Sequence, residues 1–228
     1  MDSRECCSSS SSTVRILWRV AIPTTVTEAN RAVICLASAS PRRRELLQQI
    51  GVPHIVQPAD LDERALPGEA PASYVERLAR AKAEWVYADR QRRGAMNLPV
   101  LGADTTVTLE GLLLGKPADE PALIATLARL SARTHEVLSA VALVMSSGTR
   151  SVVSRTRVTF RKISEAEARR YWASGEPRDK AGGYAIQGRG AVFVEHIEGS
   201  YSGVMGLPLA ETAVLLVAAG VGVWHSGA

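Results

Sequence analysis

Cysteine is scarce in this chain, and the few cysteines present suit neither a disulfide framework nor a thiolate metal site. The three are Cys6, Cys7 and Cys35. Their number is odd, and their spacing does not match that of zinc ligands. No cluster of cysteine and histidine indicates zinc either. We therefore expect a protein of a reducing compartment and place it in the cytoplasm.

Long apolar runs and aromatic residues are scarce as well. No apolar run approaches the about 20 residues of a membrane-spanning helix, so we expect no membrane partner. Aromatic residues make up 5% of the 228 residues and do not alternate with basic ones, as they do in proteins that bind nucleic-acid strands. The net charge of +4 is modest and suits a small anionic substrate. We expect no nucleic-acid partner and keep an arginine-based nucleic-acid module as a rival hypothesis.

The apolar content is sufficient for one domain with a core. Apolar residues make up 46% and charged residues 22% of the chain, as in ordinary globular proteins. Residues 1–31 differ from the rest, because a serine run at 8–12 is followed by an apolar segment that two arginines interrupt. We expect residues 1–31 to form a mobile N-terminal extension and residues 32–228 to form the domain.

The segment from Ile34 to Gly51 predicts a strand, a short connection and a helix. An apolar run over 33–37 is typical of a buried strand. The helix is predicted to begin at Pro41, with the Ser40 side chain as its cap, and to stop at Gly51.

The first turn of that helix carries three cations. Arg42, Arg43 and Arg44 lie at a helix end that is already partly positive, an arrangement that makes sense if an anion binds between them. Free backbone N–H groups, guanidinium groups and the hydroxyls of Ser38 and Ser40 suit a phosphate. On this local pattern, a phosphate site and a solvated basic turn are equally supported.

A second helix is predicted over residues 71–92, and its apolar face contains a lysine. Lys82 falls in the middle of the apolar arc when residues are placed 100° apart. A lysine on a buried face is costly unless its ammonium group contacts an anion. We therefore interpret Lys82 as a site residue, with a stem that extends to the rim of the core as the alternative.

Asp104 is the strongest candidate carboxylate. An apolar strand over 100–103 is predicted to end at Asp104, with further strand over 105–109, and open α/β sheets bind ligands at strand ends. The alternative is an aspartate that caps a turn. Three further carboxylates could join a hard cation such as Mg²⁺ or Mn²⁺. These are Asp62, Glu63 and Asp179.

Further elements follow along the chain. Helices are predicted over 119–131, 164–175 and 208–220, a short extended piece over 54–56, and strands over 135–145, 152–161 and 191–197. Among them lies a glycine-rich segment, 176–190, which is long for a loop in a compact domain, and such loops are usually functional. It contains Lys180 and Gln187.

Three stretches carry a resemblance to a known family. They are LASASPRRRELL, GADTTVTLEGLLLGKPADE and SGEPRDKAGGYAIQGRGAVFVEHIEGSYSGVMGLPLAET, in this order. Together they resemble the Maf family of nucleoside triphosphate pyrophosphatases. The resemblance implies an α/β fold with a mixed central sheet flanked by helices and two lobes around a nucleotide cleft, similar to inosine triphosphate pyrophosphatases. It also implies hydrolysis of a nucleoside triphosphate to the monophosphate and pyrophosphate, and a homodimer is compatible with it.

The resemblance implies roles for individual residues. Asp104 matches the catalytic base that acts on water, and Lys82 and Lys116 are expected to assist it. Asp104 and Glu63 are expected to bind a divalent metal cation, Mg or Mn. Asp62 and Glu63 match the family less well than Asp104 does, because the spacing in their acidic loop varies. The remaining expected residues bind the substrate. They are Ser38, Arg42, Arg43, Thr105, Lys180 and Gln187.

Two features resemble the subgroup that acts on dTTP and UTP. Thr105 follows the catalytic aspartate, and Ile186-Gln187-Gly188 lies in the glycine-rich segment. The expected role is hydrolysis of dTTP and UTP, which cleanses the nucleotide pool. Two departures leave alternatives open, because Thr106 stands where an aliphatic residue is commoner and Ala185 where glycine is usual. The alternatives are a pyrophosphatase for 7-methyl-GTP or other modified nucleotides, and a nucleotide-binding regulator of cell division without turnover.

Overall fold

The computed structural model describes residues 32–224, which form one seven-stranded sheet with helices packed against it. The strands are β1 (Ile34–Leu36), β2 (His54–Val56), β3 (Val100–Leu109), β4 (Leu112–Leu114), β5 (Thr134–Met145), β6 (Gly148–Phe160) and β7 (Val194–Glu198). The helices are α1 (Pro41–Gln49), α2 (Pro71–Arg92), α3 (Glu120–Leu130), α4 (Glu165–Ala173), α5 (Tyr201–Met205) and α6 (Leu209–Ala218). The expected extension, residues 1–31, lies outside the described residues.

The sheet is mixed, as the resemblance implied. Its strand order is β2-β1-β3-β5-β6-β7, and β4 pairs with β3 away from this path. Strand β1 runs parallel to β2 and β3, whereas the pairs β3–β4, β3–β5, β5–β6 and β6–β7 are antiparallel. The expectation of an α/β fold with a mixed central sheet and flanking helices is therefore confirmed.

One edge of β3 is only partly covered. Strand β1 pairs with β3 at Val100 and Leu101, and β4 pairs with it at Val107–Leu109. Among the described strands, none pairs with β3 on this edge between those two regions. The stretch that includes Asp104 therefore faces a gap between the β1 and β4 parts of the molecule.

On one face of the sheet, side chains of β3 and β5 contribute to two separate clusters of the core. Leu101 and Leu143 pack with residues of α1 and α6, and Val107 and Val137 pack with residues of α3 and α4. On the other face of the sheet, α2 covers β3 and β5. The approach of α2 is close, since a Cβ atom on Gly102 would lie 2.3 Å from the carbonyl oxygen of Ala79. Lys82, which lies between Ala79 and Ala83 on α2, contacts Asp104, two residues beyond Gly102 on β3.

The prediction that Asp104 ends a strand is wrong. Asp104 lies in the middle of the continuous strand β3, opposite Ala140 of β5. The antiparallel pairing with β5 supports β3 along its length, so β3 continues past the point where its parallel neighbour β1 stops. Asp104 therefore lies beyond the carboxyl end of β1 rather than at the end of its own strand.

The predicted helix after β1 is confirmed, but its cap is wrong. Helix α1 begins at Pro41 and stops before Gly51, which has a positive φ of 65°. Ser40 occupies the N-cap position, yet its side chain does not accept a hydrogen bond from the helix. Instead, the backbone N–H of Ser40 donates to the Ser38 hydroxyl at 3.2 Å.

The other predicted elements are present, with shifted ends. Two short elements, β4 and α5, were not predicted because three and five residues show no periodicity. Strand β7 begins at Val194 rather than at 191, since a 3₁₀ turn occupies Arg189–Phe193. In the range 32–224, every helix is too short or too polar to span a bilayer.

Candidate active site

A cleft of about 600 Å³ opens at the uncovered edge of β3. It is lined by residues from the connection after β1, from α1, α2, β3 and the end of α5, from the loops before α2 and after β4, and from the glycine-rich segment. The residues that the resemblance assigned to catalysis, metal binding or substrate binding all line this cleft. They are Ser38, Arg42, Arg43, Glu63, Lys82, Asp104, Thr105, Lys116, Lys180 and Gln187.

Lys82 joins the two carboxylates at the base of the cleft. Its Nζ atom lies 2.7 Å from Oδ1 of Asp104 and 2.7 Å from Oε1 of Glu63. Lys82 and Asp104 are only 8% and 6% exposed. The ammonium group thus contacts anions at a buried position, and the alternative of a stem that extends to the rim is wrong. The shared ammonium group holds both carboxylates in fixed positions through one oxygen of each. The second oxygen of each carboxylate remains available to another partner.

Glu63, and not Asp62, reaches this cluster from the loop between β2 and α2, residues 57–70, which we call the acidic loop. The Tyr74 hydroxyl donates to the backbone carbonyl of Glu63 at 3.0 Å and so anchors the loop on α2. Asp62 forms an exposed ion pair with Arg64 at 2.5 Å and does not line the cleft. Tyr74 was not predicted as a site residue, because nothing local to it indicates a partner 11 residues away.

The electrostatic surroundings of Glu63 favour its charged form. Partial burial raises the pKa of the Glu63 carboxyl, but the hydrogen bond and charge of Lys82 outweigh burial. The positive charges of Lys116 and Arg43 act in the same direction. The pKa of Glu63 therefore lies below its usual value, and the group is an anion at neutral pH.

Arg43 ties together three segments of the cleft wall. Its Nε atom donates to the Gly206 carbonyl at 2.8 Å, and its Nη1 atom donates to the Ser38 hydroxyl at 3.1 Å. Its Nη2 atom lies 3.4 Å from Oγ1 of Thr105. Burial lowers the pKa of the Arg43 guanidinium, and the nearby charge of Asp104 opposes this shift. A guanidinium keeps its proton in such surroundings, so it supplies a fixed positive charge.

The hydroxyl of Thr105 has a defined orientation, which Ser139 imposes. Ser139 donates its one proton to the Gly203 carbonyl at 2.6 Å. The Thr105 proton then has two acceptors, the Ser139 oxygen at 2.9 Å and the Gly206 carbonyl at 3.4 Å, of which Ser139 is the nearer. The Thr105 oxygen consequently offers only lone pairs to the cleft. Ser139 was missed in the sequence analysis, although a serine within an apolar strand was a usable signal.

The cleft also contains cations without a carboxylate partner. Arg42 and Lys116 line it, and neither forms an ion pair with a described residue. Lys180 differs, because its ammonium contacts the carboxylate of Asp179. That hydrogen bond lowers the pKa of Asp179. Arg42, Arg43 and Lys116 therefore leave positive charge in the cleft that suits a polyanion.

The glycine-rich segment closes the other side of the cleft. Gln187 is exposed, and its side-chain amide makes no hydrogen bond to another described residue. Ala185, the departure from the usual glycine, does not have a positive φ, so its methyl group causes no backbone strain. The amide of Gln187 is thus free to bind a ligand in the cleft.

Known proteins resemble the chain over most of its length. A family model described as Maf-like protein matches residues 33–219. A protein of Hahella chejuensis named dTTP/UTP pyrophosphatase is 50% identical over 194 residues, which cover 85% of this chain and 96% of that protein. A protein of the same name from Cupriavidus metallidurans is 52% identical, over 83% of this chain and 98% of that protein. Another, from Bordetella parapertussis, is 54% identical, over 82% of this chain and 93% of that protein.

These matches agree with the motifs and with the mixed sheet. The family match spans β1 to the end of α6 and so includes every element that lines the cleft. The chain therefore belongs to the Maf family.

Proposed function

We propose that this protein is a nucleoside triphosphate pyrophosphatase that hydrolyses dTTP and UTP. The observation that carries the proposal is the Asp104–Lys82–Glu63 cluster, in which Asp104 and Lys82 are buried, and which lies in the same cleft as unpaired cations. Relatives about half identical to the chain are named dTTP/UTP pyrophosphatase, which supports the same activity. The enzyme would act in the cytoplasm and cleanse the nucleotide pool, with its domain beginning at residue 32.

Asp104 is the proposed general base. Lys82 holds one carboxylate oxygen of Asp104 and leaves the other to accept a proton from water. The oxygen of that water forms a bond to the α-phosphorus, and the bond from the α-phosphorus to the bridging oxygen breaks. Pyrophosphate leaves with the electron pair of this bond. Arg42, Arg43 and Lys116 offset the negative charge that develops on the leaving group.

The carboxylates fit a divalent metal that the nucleotide itself helps to bind. In the range 32–224, no group of three or more histidine, cysteine, aspartate or glutamate side chains could hold a metal ion. Mg²⁺ commonly binds through one or two carboxylates together with substrate phosphates. Asp104 and Glu63 supply such carboxylates. When bound there, Mg²⁺ or Mn²⁺ would polarise the phosphoryl oxygens.

The decisive experiment is a screen of nucleoside triphosphates with Mg²⁺ or Mn²⁺ in which both products are identified. We expect monophosphate and pyrophosphate, with dTTP and UTP turned over faster than CTP, ATP and 7-methyl-GTP. Tight nucleotide binding without release of pyrophosphate would instead support a regulator that uses the same cleft. Fastest turnover of 7-methyl-GTP would overturn the proposed specificity but not the proposed reaction.

We expect Arg42→Ala and Lys116→Ala each to lower kcat/KM for dTTP about 10- to 100-fold, as for a charge-assisted hydrogen bond of about 1.5–3 kcal/mol. Neither side chain has an ion-pair partner to lose, so the free energy of unfolding should change by no more than about 0.5 kcal/mol. Steady-state kinetics and urea unfolding measure the two effects. Arg44→Ala and Lys162→Ala are matched controls, since both residues are exposed and lie outside the cleft. A variant that unfolds while its folded fraction keeps full activity would show a structural role.

Gln187→Ala should narrow the preference for dTTP over CTP. The pyrimidine edge of dTTP presents an N3–H donor and an O4 acceptor, and one amide can pair with both. Losing one such hydrogen bond should cost about 1.4 kcal/mol, or about tenfold in kcat/KM for dTTP. The measurement is kcat/KM for dTTP, UTP, CTP, ATP and 7-methyl-GTP, with Gln49→Ala, at an exposed position of α1, as the control. Unchanged ratios would remove Gln187 from base selection.

A further inference from the structure

The segment that carries Gln187 is anchored by a single carboxylate outside the cleft. Glu176 accepts the backbone N–H of Arg189 at 2.9 Å on Oε2, and that of Gly190 at 3.0 Å on Oε1. Its Oε1 atom also accepts the Tyr171 hydroxyl at 2.7 Å. Three donors therefore converge on this carboxylate from α4 and from the residues after Gln187.

The residues before Gln187 are also held by hydrogen bonds that lead to Tyr171 and Glu176. The hydroxyl oxygen of Tyr171 accepts the backbone N–H of Ala185 at 3.1 Å. Tyr171 thus receives a hydrogen bond from one side of Gln187 and donates one to Glu176, which holds the other side. Gln187 lies at the exposed tip of a turn that is closed at both of its ends.

The glycines of this turn allow the backbone to approach the anchor. A Cβ atom on Gly188 would lie 2.4 Å from Oε2 of Glu176, and one on Gly190 would lie 2.8 Å from the Tyr171 hydroxyl oxygen. Neither position has room for a side chain while the anchor is in place. The lack of a side chain at Gly188 and Gly190 is therefore explained by the close contact of the turn with Glu176 and Tyr171, and not by a requirement of the cleft.

The chemistry of the anchor requires a carboxylate. Burial raises the pKa of Glu176, but the donors from Arg189, Tyr171 and Gly190 together with the charge of Lys180 bring the pKa below its usual value. An ionised carboxylate only accepts hydrogen bonds, and it faces three donors. A glutamine of the same shape would place its NH₂ group, which is itself a donor, opposite at least one of these N–H or O–H donors.

We propose that Glu176 is a positioning residue which, through the turn Ala185–Gly190, fixes the Gln187 amide and thereby sets the selectivity between nucleotide bases. Glu176 does not line the cleft itself, so it acts through the turn and not on the phosphates. This inference rests on the proposed function, in which Gln187 binds the pyrimidine edge.

The test is Glu176→Gln, measured as kcat/KM for dTTP and CTP. We expect the preference for dTTP over CTP to fall about tenfold, the loss of one oriented hydrogen bond, mainly through a higher KM for dTTP. Glu195→Gln, at an exposed position outside the cleft, is the matched control and should keep the preference. Tyr171→Phe removes only the bridging hydroxyl and should shift the preference in the same direction, which keeps the test available if Glu176→Gln does not fold.

A double mutant separates positioning from a general structural role. If Glu176 acts through Gln187, then Glu176→Gln in a Gln187→Ala background leaves the remaining preference unchanged. A further fall in that background, or an unchanged preference in the single variant, overturns the inference while the proposed function stands. A wild-type protein without a preference for dTTP over CTP overturns the proposed specificity and this inference with it.

Discussion

Replacing Asp104 by asparagine is expected to lower kcat for dTTP by about 100- to 10,000-fold, the range that a general base contributes. Asparagine keeps the shape of the side chain, and its carbonyl oxygen still accepts a hydrogen bond from Lys82. The amide has no basic atom that can take a proton from water. Affinity for the nucleotide, titrated without a divalent metal, should therefore change by less than about tenfold, since the cations that bind the phosphates are retained.

Single-turnover kinetics and calorimetric titration with dTTP measure the two parts of this prediction. Asp60→Asn is the matched control, because Asp60 is exposed in the acidic loop and does not line the cleft. Full activity of Asp104→Asn would exclude Asp104 as the base. A large loss of affinity at normal kcat would assign it to binding instead.

Local sequence pattern predicted the site residues whose signal lies within one element. Lys82 stands out because the helical period places it among apolar residues, and it is buried against carboxylates as expected. Gly51 likewise has the positive φ that stops a helix. In both cases, the physical cause acts between residues that are close along the chain.

The position of Asp104 within its strand could not be predicted in this way. The length of β3 is determined by pairing with β5, whose residue Ala140 lies 36 positions beyond Asp104, and no local pattern contains that contact. Tyr74 was missed for the same reason, and Ser139, although conspicuous as a serine in an apolar strand, gave no local indication of its partner. Their roles consist of hydrogen bonds to Thr105 and Glu63, which only the folded chain brings near them.

The glycine-rich segment shows a further limit of sequence pattern. Its composition predicted a functional loop, and Gln187 does line the cleft. The anchoring role of Glu176 was invisible, because the carboxylate acts on backbone N–H groups 13 and 14 residues further along. Every residue type except proline has a backbone N–H group, so the residue types at 189 and 190 do not indicate that they bind Glu176.

Replacing Lys82 by methionine should abolish most turnover and also destabilise the fold. Methionine retains the apolar stem against β3 but removes the ammonium that lies 2.7 Å from both Asp104 and Glu63. Asp104 is 6% exposed and would be left as a buried charge without a partner. Breaking a buried ion pair from one side costs about 3–5 kcal/mol, and the access of the cleft to water places the expected loss near the lower end of that range.

Urea unfolding measures the loss, and Arg80→Met is the control on the same helix. Arg80 is only half-buried, so its loss should cost about 1 kcal/mol or less. The sharpest comparison is the double variant Lys82→Met/Asp104→Asn. Because asparagine removes the unpaired charge, this protein should be more stable than Lys82→Met alone, although equally inactive. If the second substitution restores no stability, then the ammonium of Lys82 is not what compensates the buried carboxylate of Asp104, and the Asp104–Lys82–Glu63 cluster cannot be the electrostatic centre of the cleft.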